Sequence, residues 1–119
     1  MLKKFLSEME DGLTPNTWWT HDEVGSNKEA SIDLKAMFED QDVFQTPKPE
    51  QLLCRILTLA TVSADWVPDS FAGSGTTAHA LLELNKQDGG NRKFILVQLP
   101  EPTGREDYPT IADIAKERV

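Results

Sequence analysis

At 119 residues, with 39% hydrophobic and 27% charged positions, the chain amounts to at most one small domain with a modest core. Its net charge of −8 falls mostly in residues 1–50 with no cluster of bases to relieve it, which argues against strong DNA binding by this acidic chain alone. No apolar run reaches the roughly 18 residues of a membrane span, the Lys3–Lys4 start turns acidic before a signal sequence forms, and Cys54 has no partner for an internal disulfide, so a cytoplasmic protein with a reduced, buried thiol is expected.

Leu2, Phe5, Leu6 and Met9 recur at helical spacing, so a short helix is predicted over residues 1–10. DGLTPNTWWTHDEVGSN, punctuated by Gly12, Pro15, Asn16, Gly25 and Asn27, reads as loop and turn. Within it, Trp18 and Trp19 are expected to bury against a neighbouring element and His21 to be solvated. A helix follows over Ser31–Phe38, anchored by Ile32, Leu34 and Met37 or Phe38. The clearest helix starts behind Pro47 and Pro49, which hold the approach extended. Leu52, Leu53, Ile56, Leu57 and Ala60 recur there at the spacing of one buried face.

ADWVPDSF is a short strand, although Pro68 withdraws a ladder donor and is disfavoured in a central strand. A glycine loop leads into TTAHALLELNKQDGG, a helix closed by glycine. FILVQL at 94–99 is a second strand, apolar on both sides as buried parallel strands are. PEPTGREDYP is loop. PTIADIAKERV starts a last helix, with Thr110 and Asp113 spaced as a capping box, and stops as though cut. Strand, loop, helix and strand make one right-handed βαβ unit. Two strands are too few for a parallel sheet with both faces covered, so a partner supplies more or the chain was once longer.

DSFAGSGTT at 69–77 is the stretch that carries chemistry. A nucleoside triphosphate loop needs a lysine between its second glycine and the hydroxyl residue, and Thr76 stands there. The dinucleotide pattern G-x-G-x-x-G tolerates Ala78 at its third position, but the acid about 20 residues further on is missing. S-adenosylmethionine, with a cationic sulfonium and a zwitterionic amino acid, suits Asp69 at the strand end, and Gly73 and Gly75 let the backbone come close. A bare strand-to-helix turn without ligand is the fourth reading. His79 reads as packed rather than catalytic, and no histidine or cysteine pair stands at metal-ligand spacing.

Taken with FQTPKPEQLLCRIL upstream and GGNRKFILVQLPEP downstream, DSFAGSGTT resembles the C-terminal part of type III restriction-modification DNA methyltransferases, the Mod subunits. TWWTHDEVGSNKEASIDLKAMFED is similar to the family segment that links target recognition to the cofactor site. Three motifs thus occur in family order over essentially the whole chain. The resemblance implies a β-class amino-methyltransferase that modifies adenine N6 in double-stranded DNA, using S-adenosylmethionine and working with a restriction subunit. The fold implied is α/β: a partial Rossmann-like S-adenosylmethionine-dependent methyltransferase fold, with a short parallel sheet and flanking helices. Residues 1–45 would form a helical and loop linker after the recognition region, and residues 46–119 the cofactor-binding part.

The resemblance also implies roles. Thr46, Pro47 and Lys48 match the segment beside the methionine carboxylate, where a lysine cation neutralises and hydrogen-bonds the charge. Asp69, Phe71, Ala72, Gly73, Ser74, Gly75 and Thr76 match the loop around the methionine moiety. Gln98 occupies the place of the acid that holds the ribose hydroxyls. An amide accepts one such bond and donates another, so ribose recognition is weakened without being abolished.

The family's catalytic D-P-P-Y tetrapeptide, which engages the adenine amino group and stacks on a flipped base, does not occur in the sequence. PDSF at 68–71 belongs to the cofactor loop. Pro68 and Ser70 depart from the family pattern and read as relaxation after catalysis was lost. The leading expectation is a cofactor-binding C-terminal fragment, inert alone, left by a broken or split gene or cloned as a piece. Two other classes stand beside it. One is an interaction module that completes its sheet with another copy (a homo-oligomer) or a full-length methyltransferase subunit. The other is an acidic regulatory protein that kept only the fold.

Overall fold

The computed structural model describes residues 14–119, and the helix predicted over residues 1–10 lies outside them. The segment read as loop and turn contains a short helix, α1 (His21–Val24). Its start is fixed by the Glu23 carboxylate, which accepts the Thr20 N–H at 2.9 Å and the Thr20 hydroxyl at 3.1 Å. Helix α2 (Asn27–Met37) begins ahead of the predicted Ser31 because Ser26 caps it. Ser26 Oγ accepts the Glu29 N–H at 3.3 Å, and Glu29 accepts the Ser26 N–H at 2.7 Å. Leu34 and Phe38 are the buried anchors, while Ile32 and Met37 face solvent.

Helix α3 (Glu50–Ala60) follows Pro49 as foreseen, but its buried face is narrower than the apolar spacing predicted. Leu57 is buried and Leu52, Leu53 and Cys54 are half-buried, whereas Ile56 and Ala60 are exposed. The packed stripe turns toward helix α4 (Thr76–Asp88). Cys54 sits on it, half-buried, with its thiol donating to the Ala80 carbonyl at 3.6 Å. Burial raises the pKa of that thiol, and Glu50 and Glu83 add to the shift.

Strand β1 (Trp66–Asp69), α4 and strand β2 (Lys93–Leu96) form the expected βαβ unit, with β2 ending at Leu96 rather than at the expected Leu99. The two strands pair in parallel, with Trp66 opposite Lys93 and Asp69 opposite Leu96. The Lys93 N–H bonds the Asp65 carbonyl and the Val97 N–H bonds the Asp69 carbonyl. Odd-numbered residues of β1 therefore address β2, and the nitrogen of Pro68 points to the other edge. The expected loss of a ladder donor at Pro68 does not occur within this sheet.

The sheet is covered on one face only, which corrects the expectation of two buried faces. Val67, Asp69, Phe94 and Leu96 turn inward, while Trp66, Pro68, Ile95, Val97 and Leu99 are exposed. Helix α4 ends at Gly89 in the left-handed conformation, as the sequence indicates. Beyond it, Arg92 is buried and ties the turn together. Its guanidinium donates to Thr61 Oγ1 and Asp88 Oδ2, each at 2.8 Å, while Asn85 brackets its backbone. The last helix, α5 (Ile111–Arg118), starts where expected, with the Asp113 carboxylate accepting from Thr110 N–H and hydroxyl at 3.1 and 2.7 Å.

The core divides into two clusters. Leu57, Ala80, Leu81 and Leu84 join α3, α4 and the sheet. Leu34, Phe38, Val43 and Ile114 join α2 to α5, with Tyr108 edge-on to Phe38 at 5.3 Å between ring centroids. Of the tryptophan pair, Trp19 is half-buried with the Arg55 guanidinium 5.0 Å above its ring, but Trp18 is 78% exposed, against expectation.

Candidate cofactor-binding site

The glycine loop joins β1 to α4, and its shape follows from two positions that only glycine occupies without strain. Gly73 has φ 54° and Gly75 has φ 78°. What lies close to them is the protein itself. A Cβ on Gly73 would stand 3.4 Å from the Phe44 ring, and one on Gly75 would stand 3.2 Å from the Ala115 carbonyl of α5. The glycines thus serve the turn and its packing, and Gly75 lies behind the loop rather than on the surface of a cavity.

Asp69 latches the loop to its strand. One carboxylate oxygen accepts the Phe71 N–H at 3.0 Å, and the other accepts the Thr77 hydroxyl at 2.5 Å. Two further bonds tie the loop to the segment after β2. The Ala72 N–H reaches the Val97 carbonyl at 3.1 Å, and the Gly73 N–H reaches Gln98 Oε1 at 2.8 Å. The N–H groups of Thr76 and Thr77, in the first turn of α4, meet no backbone acceptor among the described residues.

In front of this loop lies a cleft of about 300 Å³. One wall is the loop, with Asp69, Phe71, Ala72, Gly73, Ser74, Thr76 and Thr77. The other is the approach to α3, with Thr46, Pro47 and Lys48. Pro47 is fully buried and fixes that wall, while Thr46 and Lys48 are exposed at the rim. Phe71 is 90% exposed and also stands at the rim.

Nine of the eleven residues singled out from the sequence therefore line one cavity; Gly75 and Gln98 do not. Gln98 lies on the wall of a larger cavity of about 570 Å³ between β2 and α5, which shares Ala72 with the cleft. Its amide oxygen is already bonded to Gly73, so its first task is to hold the loop. Phe44, Leu53 and Thr77 line the cleft unannounced. Thr77 was visible as the second hydroxyl of GSGTT, whereas nothing local marks Phe44. His79 is packed as expected: its Nδ1 accepts from Arg118 Nε at 3.3 Å, with the Glu50 carboxylate 3.6 Å away.

A DNA methylase family model matches residues 3–117. The chain belongs to that family. It is 44% identical over 112 residues to the Mod subunit of the type III restriction-modification enzyme StyLTI from Salmonella typhimurium. That match covers 89% of this chain and 17% of the relative. The EcoPI Mod subunit of Escherichia phage P1 is 34% identical over 111 residues, 88% of this chain and 17% of the relative. The type II methyltransferase M.KpnI of Klebsiella pneumoniae is 37% identical over 99 residues, 83% of this chain and 23% of the relative. This DNA methylase chain thus spans about a sixth of the length of the two Mod subunits. No helix among its described residues is long and apolar enough to cross a membrane.

Proposed function

We propose that this chain is the cofactor-binding, C-terminal part of a DNA adenine-N6 methyltransferase of a type III restriction-modification system, and that its cleft takes S-adenosylmethionine. The observation that carries this is the meeting of the Thr46–Lys48 wall with the Asp69–Thr77 loop around one cavity, two segments more than 20 residues apart. The chemistry of the cleft suits a zwitterion. Lys48 supplies a cation at one side, and the first-turn N–H groups of α4 supply donors for a carboxylate. The Asp69 carboxylate keeps acceptor capacity beyond its two bonds for an ammonium group. The nucleoside then extends past Ala72 toward Gln98. Bound there, the cofactor supplies an electrophilic methyl group on its sulfonium.

Methyl transfer itself needs groups that orient the adenine amine, and the sequence contains no D-P-P-Y. The chain by itself therefore holds cofactor and does not methylate DNA. Calorimetry with S-adenosylhomocysteine tests the reading: saturable heat is expected at ligand concentrations up to about 1 mM. Lys48→Met, on an exposed side chain, should weaken binding by roughly threefold to tenfold. Absence of heat from the wild-type chain would leave the fold without the ligand, and methylation of DNA by the purified chain would overturn its inertness.

The bare sheet face supports a second reading as an interaction module. Ile95 at 50%, Val97 at 54% and Leu99 at 68% exposure lie beside Trp66 at 60% on one surface. Another copy, or a full-length methyltransferase subunit, would cover it. Sedimentation velocity should show self-association or co-sedimentation with a Mod subunit, lost in Val97→Lys. A strict monomer that ignores the full-length relative ends this reading.

A further inference from the structure

Helix α5 reaches the back of the glycine loop through one side chain. Arg118 Nη1 donates to Ser74 Oγ at 3.1 Å and to Thr76 Oγ1 at 2.8 Å, while its Nε donates to His79 Nδ1 at 3.3 Å. The two hydroxyl residues are buried, at 3% and 6% exposure, and both also line the cleft. An independent contact points the same way, since Gly75 between them packs on the Ala115 backbone of the same helix. Burial weighs against the guanidinium charge, and Glu50 and Asp33 offset it.

From this geometry we infer that Arg118 is a positioning residue for the cofactor loop, holding Ser74 and Thr76 from behind so that their backbone presents the cleft wall. Only arginine suits the task. Its planar fork points fixed donors at three acceptors, whereas a lysine ammonium is a compact charge that cannot serve all three in that plane. The loop is thus built by contacts from three sides: Asp69 at its base, Gln98 from the segment after β2 and Arg118 from α5. The third contact lies more than 40 residues away in sequence.

The inference rests on the cofactor reading for its consequence but not for its test. Amide hydrogen exchange of residues 71–78 reads the loop directly in the full chain. Arg118→Lys should speed exchange there roughly tenfold, and the conservative charge should not rescue it. Ile114→Val, which loosens α5 without touching the guanidinium, should leave the loop within about twofold of wild type. In a Ser74→Ala, Thr76→Val background, Arg118→Lys should add less than about a further twofold. Wild-type exchange in Arg118→Lys would overturn the proposal, as would a full additive effect in the double-variant background. Weaker S-adenosylhomocysteine binding in Arg118→Lys connects the loop to the cofactor. If the wild-type chain binds no S-adenosylhomocysteine, the cofactor reading fails while the exchange result still decides the role of Arg118.

Discussion

Leu81→Ala should lower the stability of the chain by about 2–5 kcal/mol, to be read as a reduced urea midpoint with unchanged slope. Leu81 is 0% exposed and sits at the centre of the cluster that joins α3, α4 and the sheet. Its neighbours are Leu57 and Leu84, with Leu53, Val67 and Phe94 packed around them. A void there cannot be filled by sliding, because α4 is tied at both ends, by the Thr77–Asp69 bond and by the Arg92 bonds to Asp88 and Asn85. A loss of this size is a large part of the roughly 5–15 kcal/mol that holds an ordinary domain folded.

The division of the core sharpens the expectation. Leu81 and the Leu34–Ile114 group belong to separate clusters, so the void falls where α3 and α4 pack on the sheet. Ile56→Ala, one of the positions the apolar spacing placed on the buried face, should cost under about 1 kcal/mol because Ile56 is 40% exposed. Equal midpoints for the two variants would mean that α3 packs through the other stripe.

That contrast shows how far the sequence carries. Apolar spacing reports which face a segment wants covered, and it reads the same whether this chain or another covers it. Ile56 and Leu59 on the outer side of α3, Val62 just past its end, Ile95 on β2 and Val97 just after it are apolar and exposed, so pattern alone overstated the core. The strands, α4 with its closing glycine, and α5 with its Thr110–Asp113 cap were legible, because each is specified by residues close in sequence. Helix α1 was hidden by surrounding turn residues, although Thr20–Glu23 is the same signature that α5 revealed. The start of α2 was likewise readable in Ser26–Glu29.

The site divides in the same way. Motif resemblance put Thr46, Lys48 and the 69–76 loop together, and the structure gathers all of these but Ser70 and Gly75 around one cavity. It could not supply Phe44 against Gly73 or Arg118 against Ser74 and Thr76, since those contacts depend on how α5 and the residues ahead of α3 are carried back over the sheet. Gln98 illustrates the remaining gap. Read as a weakened ribose ligand, it is bonded to the loop through the oxygen that reading would use.

Gly75→Ala should destabilise the chain by about 2–4 kcal/mol, the sum of two effects. At φ 78° and ψ 20° an alanine sits in the left-handed region, which alone costs roughly 1–2 kcal/mol. Its methyl would also stand 3.2 Å from the Ala115 carbonyl and 3.4 Å from Ala115 Cα, both backbone atoms of a helix that cannot turn aside as a side chain can. Gly89 separates the two contributions. It has φ 69° with nothing within 4 Å of a added methyl, so Gly89→Ala carries the conformational cost alone. Gly73→Ala belongs near Gly89→Ala, because its methyl meets the Phe44 ring at 3.4 Å and the Phe71 carbonyl at 3.9 Å, both ordinary contact distances. Urea denaturation of the three variants should therefore rank Gly75→Ala well below the other two, which fall together. Three equal midpoints would show that α5 does not press on the loop. With the predicted order, the backbone of the helix that carries Arg118 bears on the loop at Gly75, directly behind the wall of the cleft.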